Sequence, residues 1–366
     1  MIDVQRRTRV VLVGPTRRGV GGISTHMNQL LGSTLADSVE LLHFQVGSEG
    51  VRESHSSALI RLATSPFSFA RLLIVRRPDV VHLNTSMVPK AFWRDAVYVL
   101  IARLFGCPVI YQVHGGALPR EFVRGNRILG GLLRSILCGS EAVVVLAQVE
   151  LAAYRKFVPA ARLELIANAI DTSSLVRDAI TEKPAGALHL AYVGRLIEEK
   201  GIFDAVEALA ILLREKHKVT LSFAGSGPQE GLLRARVANL GLGDRVNLLG
   251  PVFGAQKEAL WHSAHIFVFP TFFPEGLPYA LLEAMVAGAV PVTTRAGAIP
   301  DVLEDGVQGV LVPIREPAAL AAAIARLDDD RRGLARMAEA GRRRVVHHYA
   351  LERLADDFRK LYASVV

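Results

Sequence analysis

Residues 191–209, AYVGRLIEEKGIFDAVEAL, place Gly194 and Arg195 at the end of an apolar strand and Lys200 and Gly201 at the start of the next helix. Working outward, this strand-turn-helix unit recurs in both directions. The first half holds the apolar, β-rich runs RVVLV, VELLHF, DVVHL, PVIYQV and AVVVL, separated by helix-length segments such as Ile23 to Leu31. The second half holds LHLAYV, VTLSFA, RVNLL, IFVFP, VPVTT and GVLVP. Runs that are apolar throughout, rather than alternating, suit strands covered on both faces, which means parallel sheets with helices on each side. At 366 residues the chain exceeds what one core usually serves. The expectation is therefore α/β with two doubly wound domains facing a cleft. Their boundary falls in IDTSSLVRDAITEKPAGAL, which is polar and lacks periodicity, giving domains 1–178 and 179–349.

Composition narrows the function classes. The two cysteines, Cys107 and Cys138, lie in apolar surroundings without close pairing or metal-ligand spacing, so neither a disulfide framework nor a zinc site is expected. The opening MIDVQRRTRVVLVGP has an apolar run too short for a signal segment, and Arg94, Arg103, Arg134 and Glu141 interrupt the most apolar tracts. A reduced, cytoplasmic setting is the expectation. The net charge of +8 is carried by residues 1–180, where 21 Lys and Arg face 13 Asp and Glu. That half is expected to meet something acidic: nucleic acid, an anionic bilayer or a phosphorylated substrate. Nucleic acid ranks last, because interleaved aromatics and a recognised module are both missing.

Ligands of doubly wound sheets bind beyond the carboxyl ends of the strands. After VVLVG comes PTRRGVGGISTHMNQLL, whose Gly19, Gly21 and Gly22 permit close backbone approach before a helix N-terminus that attracts anions. The spacing departs from the dinucleotide fingerprint, which disfavours a nicotinamide or flavin cofactor. VHLNTS ends a strand with Asn84 and Thr85, and YQVHGG ends another with His114; with His26 these are candidates for orienting a hydroxylated acceptor. Arg195 and Lys200 beside a helix N-terminus make a diphosphate clamp, the guanidinium binding two oxygens and the ammonium acting as a point charge.

FFPEGLPYALLEAMVAGAVPVTT, residues 272–294, carries Glu275 and Glu283. Gly276 permits a tight turn and Pro278 suits a first helical turn, so a helix is expected from Pro278 to Ala287, with Glu275 before it and Glu283 inside. Within one helix, eight residues would separate the carboxylates by ~12 Å of rise, too far for a hydrolytic acid/base pair. A division of labour fits better. Backbone amides at the helix start would face phosphate, Glu275 would bind sugar hydroxyls, and Glu283 would reach a ribose.

Glu275 and Glu283 form an E-x7-E pattern, and with GRLIEEKG, AGSGP and EAMVAGAVPV in that order the chain resembles the retaining glycosyltransferases of family 4. The resemblance implies a GT-B fold, two Rossmann-like domains in which the first receives the acceptor and the second the nucleotide-sugar, with a terminal helix in 350–366 crossing back. It implies a diphosphate clamp at Arg195 and Lys200, a ribose contact at Glu283 and a donor-sugar contact at Glu275. His114 resembles the histidine near the transferred sugar, and Gly21 and Gly22 the loop approaching phosphate or acceptor. Gly194, Gly227, Pro251 and Val252 are implied near the donor, with Gly276, Leu277 and Pro278 at its phosphates. No metal or other cofactor is implied: cationic side chains and the helix start would stabilise the departing UDP or GDP. The D-x-D at Asp328 to Asp330 abuts Arg331 and Arg332 and is expected to be solvated surface. A nucleotide-sugar epimerase and a non-catalytic scaffold on the same fold are the alternatives.

Arginines at 120, 124, 127 and 134 return to one azimuth at helical spacing, so a basic stripe is expected on a helix between Leu118 and Ser135. A second cluster, PFSFARLLIVRRP, adds Arg71, Arg76 and Arg77. Both suit a first domain resting on the anionic inner face of the plasma membrane and taking a lipid-linked acceptor.

Overall fold

A computed structural model describes residues 6–19, 21–47, 54–172 and 186–366. The chain divides into two compact units. The first comprises the residues up to Ala169 together with Leu351–Val366, and the second comprises Ile170–Ala350. The expected boundary at 178/179 lies outside the described residues.

In the first unit the order is β1 (Thr8–Pro15), α1 (Gly22–Gly32), α2 (Leu35–Ser38), β2 (Val39–Gly47), α3 (His55–Arg76), β3 (Val80–Met87), α4 (Pro89–Leu104), β4 (Val109–Gly116), α5 (Pro119–Val123), α6 (Arg127–Cys138), β5 (Ala142–Val145), α7 (Gln148–Phe157) and β6 (Leu163–Leu165). The second unit continues with β7 (Leu188–Val193), α8 (Ile202–Arg214), β8 (Val219–Ala224), α9 (Glu230–Asn239), β9 (Val246–Gly250), α10 (Gly254–Ser263), β10 (Ile266–Phe269) and α11 (Tyr279–Val286). It ends with β11 (Val290–Thr293), α12 (Ile299–Val302), β12 (Val310–Leu311), α13 (Pro317–Asp329) and α14 (Arg331–His348), after which α15 (Leu351–Ala363) returns to the first unit.

Both sheets have six parallel strands, ordered β2-β1-β3-β4-β5-β6 and β12-β11-β10-β7-β8-β9. Val10, Val11, Leu12 and Val13 are all fully buried, which is why β1 is apolar without alternation. One side chain in two joins Phe69, Phe92 and Leu133 beneath α3 to α7, and the other joins Met27 and Leu30 of α1. The second face is completed by α15, whose Leu351, Leu354, Ala355, Phe358, Leu361 and Tyr362 fall on one stripe. Burying a ring such as Phe358 contributes about 2 to 3 kcal/mol, and it is one of six side chains that seat the helix on the sheet.

Two sequence expectations need correction. The segment from Leu118 to Ser135 is two helices rather than one: Arg124 and Gly125 adopt left-handed φ values of 45° and 78°, and the Asn126 side chain caps α6 through the Ile128 and Leu129 amides. The four arginines therefore share no helical stripe, and Arg134 lies over the Phe157 ring instead. Cys107 is buried but Cys138, closing α6, is exposed. The three-residue β6 was not expected; Leu-Glu-Leu is too short to signal a strand. Among the described residues, no helix is long and apolar enough to cross a membrane.

Candidate active site

In the second sheet β8 and β9 lie on one side of β7 while β10 and β11 lie on the other, so the chain reverses direction between β7 and β10. In doubly wound sheets ligands bind beyond the carboxyl ends of the strands at such a point. The residues of interest stand on those two loops. After β7, Tyr192 donates its hydroxyl to the Arg195 carbonyl at 2.9 Å, and Glu198–Lys200 forms a single 3-10 turn. Gly201 then starts α8 with φ 74°; a Cβ there would stand 2.2 Å from the Pro270 carbonyl oxygen, so the β7 and β10 loops touch only because this residue is glycine. The Phe272 and Phe273 amides donate to the Glu199 carbonyl at 2.8 and 2.9 Å, lacing the loops together.

This lacing brings Lys200 to Glu275. The ammonium donates to both carboxylate oxygens, at 2.6 and 2.7 Å, and Thr271 Oγ1 donates to the same carboxylate at 2.8 Å. Glu275 is buried and Lys200 nearly so. Burial pushes the Lys200 ammonium below its usual range, the Glu275 charge opposes this, and Arg195 adds to the lowering. Sequence reasoning separated the pair, one for phosphate and one for sugar; in the structure they form a single ion pair. Two of the three Lys200 N–H donors serve Glu275, leaving one for a ligand. Arg195 is exposed, its guanidinium 5.4 Å from the Phe273 ring centre.

α11 begins one residue later than expected and ends one earlier, with Pro278 as the residue before it. Gly276 is partly open, while Leu277 is buried and anchors the turn. Glu283 accepts from Lys257 Nζ at 2.7 Å and from Trp261 Nε1 at 3.3 Å. These two partners, on α10, were missed by the sequence reading, as was Thr271. Lys257 and Trp261 share a helix face at i and i+4, a signal that needs the fold to become meaningful. Gly194, Gly225 and Gly227 line the β7 and β8 turns: a Cβ on Gly227 would meet the Leu196 carbonyl oxygen at 2.2 Å. Pro251 is exposed and Val252 partly so, beyond β9. The D-x-D is not simply solvated: Asp328 accepts from His217 Nδ1 at 2.8 Å and pairs with Arg331, while Asp330 caps α14 through the Gly333 amide.

In the first sheet the corresponding reversal lies between β1 and β3. Gly21 and Gly22 stand at the start of α1, with open space where a Gly22 side chain would be. His114, at the end of β4, shares a hydrogen bond of 2.9 Å with Asn84 Oδ1, which makes its Nε2 the protonated nitrogen. His26 meets the His114 ring edge-on at 4.6 Å. Burial, with the neighbouring His26 and His82, holds His114 well below the ordinary imidazole range, so it is neutral at pH 7. Asn84 and Thr85 are fully buried, and Thr85 donates to Asp95 at 2.5 Å. Asp95 also takes a two-pronged contact from Arg94, at 2.6 and 3.0 Å. Arg71, Arg76, Arg77, Arg120, Arg124 and Arg127 are exposed, although Arg76 is tied to Glu40 at 2.7 Å.

Residues 6–169 match the family described as glycosyl transferase 4-like domain, and residues 177–344 match glycosyl transferases group 1. The glycogen synthase of Mycobacterium tuberculosis is 28% identical over 301 residues, covering 79% of this chain and 69% of that protein. The amylovoran biosynthesis glycosyltransferase AmsK of Erwinia amylovora is 32% identical over 197 residues, 51% of this chain and 47% of its own length. Among solved structures, Anabaena HepE in complex with UDP superposes with a TM-score of 0.76 at 18% identity, covering 98% of this chain and all of that one. The sucrose-phosphate synthase of Thermosynechococcus elongatus gives 0.76 at 20% identity, with 98% and 99% covered. With two family matches that together span most of its length, this chain belongs to the GT-B glycosyltransferases of the family 4 type, transferases of the EC 2.4 class.

Proposed function

We propose that the enzyme moves a sugar from a UDP- or GDP-linked donor to a glycan or lipid-linked acceptor presented at the inner membrane surface, with retention of anomeric configuration and without a metal. The observation that carries this reading is the buried Lys200-Glu275 pair at the strand reversal, with the exposed Arg195 beside it. Two cations next to a buried carboxylate suit a ligand that is anionic at one end and hydroxylated at the other. The HepE structures, which hold UDP or UDP-glucose, support a nucleotide-sugar donor, and the amylovoran biosynthesis named for the Erwinia relative supports a glycan acceptor.

The difficult step is departure of the nucleoside diphosphate as positive charge grows on the anomeric carbon. Arg195 and Lys200 stabilise the negative charge that collects on the leaving phosphate, and the amides at the start of α11 add to that field. Glu275, held in place by Lys200 and Thr271, accepts hydrogen bonds from donor-sugar hydroxyls. Glu283, gripped by Lys257 and Trp261, is a fixed acceptor for the ribose. The neutral His114 donates through Nε2 to Asn84. The leaving phosphate takes the acceptor's proton as the new bond forms on the face it vacates.

The test is transfer from labelled UDP- and GDP-sugars, with chelator present, to oligosaccharide and polyprenyl-diphosphate-linked acceptors, the product's anomeric configuration being read by NMR. A new glycosidic bond of the donor's configuration is expected. An isomerised nucleotide-sugar with no acceptor bond would identify an epimerase instead, and dependence on a divalent ion would overturn the metal-free mechanism.

A further inference from the structure

Helix α4 is apolar on the side that faces water. Its inner residues Phe92, Tyr98, Val99 and Ala102 are buried, as packing on the sheet requires. Yet Trp93, Val97, Leu100 and Leu104, at i, i+4, i+7 and i+11, are exposed, Trp93 by 57% and Leu104 by 75%. The neighbouring α3 adds Ile60, Phe67 and Ile74 in one line, with Phe67 78% exposed. A helix facing only water carries charge on these positions, and a contiguous apolar ridge over two helices marks a surface that meets something.

The charges around the ridge say what. Residues 54–138 hold 11 Lys and Arg against three acids, Asp79, Asp95 and Glu121. All three acids are engaged: Asp95 by Arg94 and Thr85, Asp79 by Arg6 and the Arg9 amide, and Glu121 by the Leu118 amide. Arg71, Arg77 and Lys90 are exposed, Arg71 four residues after Phe67 and Lys90 three before Trp93 and so beside the apolar residues. A second copy joined through a two-fold axis would set this basic rim against itself. A bilayer of anionic lipid matches both features at once, with headgroup phosphates for the cations and an acyl boundary for Trp, Phe and Leu.

We propose that the outer face of α3 and α4 is a docking surface for anionic lipid bilayers, with Phe67, Trp93, Leu100 and Leu104 entering the acyl boundary and Arg71, Arg77 and Lys90 at the headgroups. This deepens the membrane-surface part of the proposed function, on which its biological setting rests. The surface keeps Phe67, Arg71 and Arg77 from the expected cluster PFSFARLLIVRRP, leaves out the one expected at Arg120 to Arg134, and adds α4.

The test is cosedimentation of the full chain, without nucleotide, with vesicles of phosphatidylcholine alone or with 30% phosphatidylglycerol, alongside tryptophan emission. Only two tryptophans exist and Trp261 is buried, so a blue shift reports Trp93. The expected result is pelleting with the anionic vesicles alone, a blue shift, at least a tenfold loss of binding in Trp93→Glu/Leu100→Glu, and a several-fold loss in Arg71→Glu/Lys90→Glu. Circular dichroism and nucleotide titration confirm that the variants fold. Equal binding to both vesicles, no binding, or wild-type binding by the Trp93→Glu/Leu100→Glu variant would overturn the proposal. A dimer in analytical ultracentrifugation that this variant splits would overturn it too, by assigning the ridge to self-association. Transfer to a soluble acceptor, assayed without vesicles, keeps the two readings apart: loss of lipid binding with transfer intact sinks only this one, and absence of transfer with lipid binding intact sinks only the other.

Discussion

Lys200 and Glu275 are each costly to bury and tolerable only together, because the low-dielectric surroundings penalise a lone charge far more than a matched pair. Removing one partner should therefore act twice. Lys200→Met is expected to lower kcat/KM for transfer by about 10²- to 10³-fold, the usual effect of losing a donor aimed at developing charge. It should also lower stability by roughly 3 to 5 kcal/mol, since Glu275 is left buried and unpaired. The double variant Lys200→Met/Glu275→Gln separates the two effects: urea denaturation should show most of the stability regained while transfer stays lost. If the single variant unfolds at the wild-type urea concentration, the pair is not a buried unit. Sequence alone suggested both residues as ligands of a donor, but their pairing spans 75 positions and depends on two loops meeting. Periodicity and spacing report neighbours along one element, so a contact of this kind is invisible until the strand order is known.

At the scale of elements, the turns succeed or fail by glycine. Gly225 has φ 146°, and a Cβ on it would stand 1.9 Å from the Gly194 carbonyl oxygen. Gly225→Ala should therefore cost on the order of 1 to 3 kcal/mol and displace the β7 loop that carries Arg195, seen as a lower melting temperature together with weaker nucleotide binding. An unchanged melting temperature would contradict that close approach. Inner strands such as β1, β5 and β10 were legible because they are buried on both faces and so are apolar without interruption, whereas the edge strand β6 is partly exposed and gave no such run. The helix expected between Leu118 and Ser135 was not, because the arginine periodicity was real in sequence while Arg124 and Gly125 turn the backbone out of the helix. The outer ridge of α4 was hidden for the opposite reason. In FWRDAVYVLIARLF apolar residues occur all round the helix, and sequence cannot say which of them the sheet covers.

At the scale of the molecule, the first unit depends on α15 and on buried imidazoles beside it. His82 lies between Gln112 Oε1 and the Tyr362 hydroxyl, at 2.8 Å each, so the end of the chain is fastened to the sheet through a neutral ring. Burial lowers the His82 pKa to about 4 and, helped by the nearby His82, the His26 pKa to about 3, from 6.5 in the unfolded chain. Between those values and 6.5 the unfolded state binds protons that the folded state refuses, so stability falls as pH drops from 6.5 toward 4. Denaturation at pH 7.5 and 5 should show a loss of about 2 to 4 kcal/mol, with a shallower loss in His82→Asn; equal slopes for the two proteins would refute a contribution from His82. The measurement that tests the central claim most directly is calorimetric titration of UDP and GDP, with chelator present, into the wild-type protein and Arg195→Ala, a substitution at an exposed side chain. One nucleoside diphosphate should bind the wild type and bind Arg195→Ala at least tenfold more weakly; binding of neither, or equal binding to both proteins, would contradict a metal-free diphosphate clamp at the β7 turn.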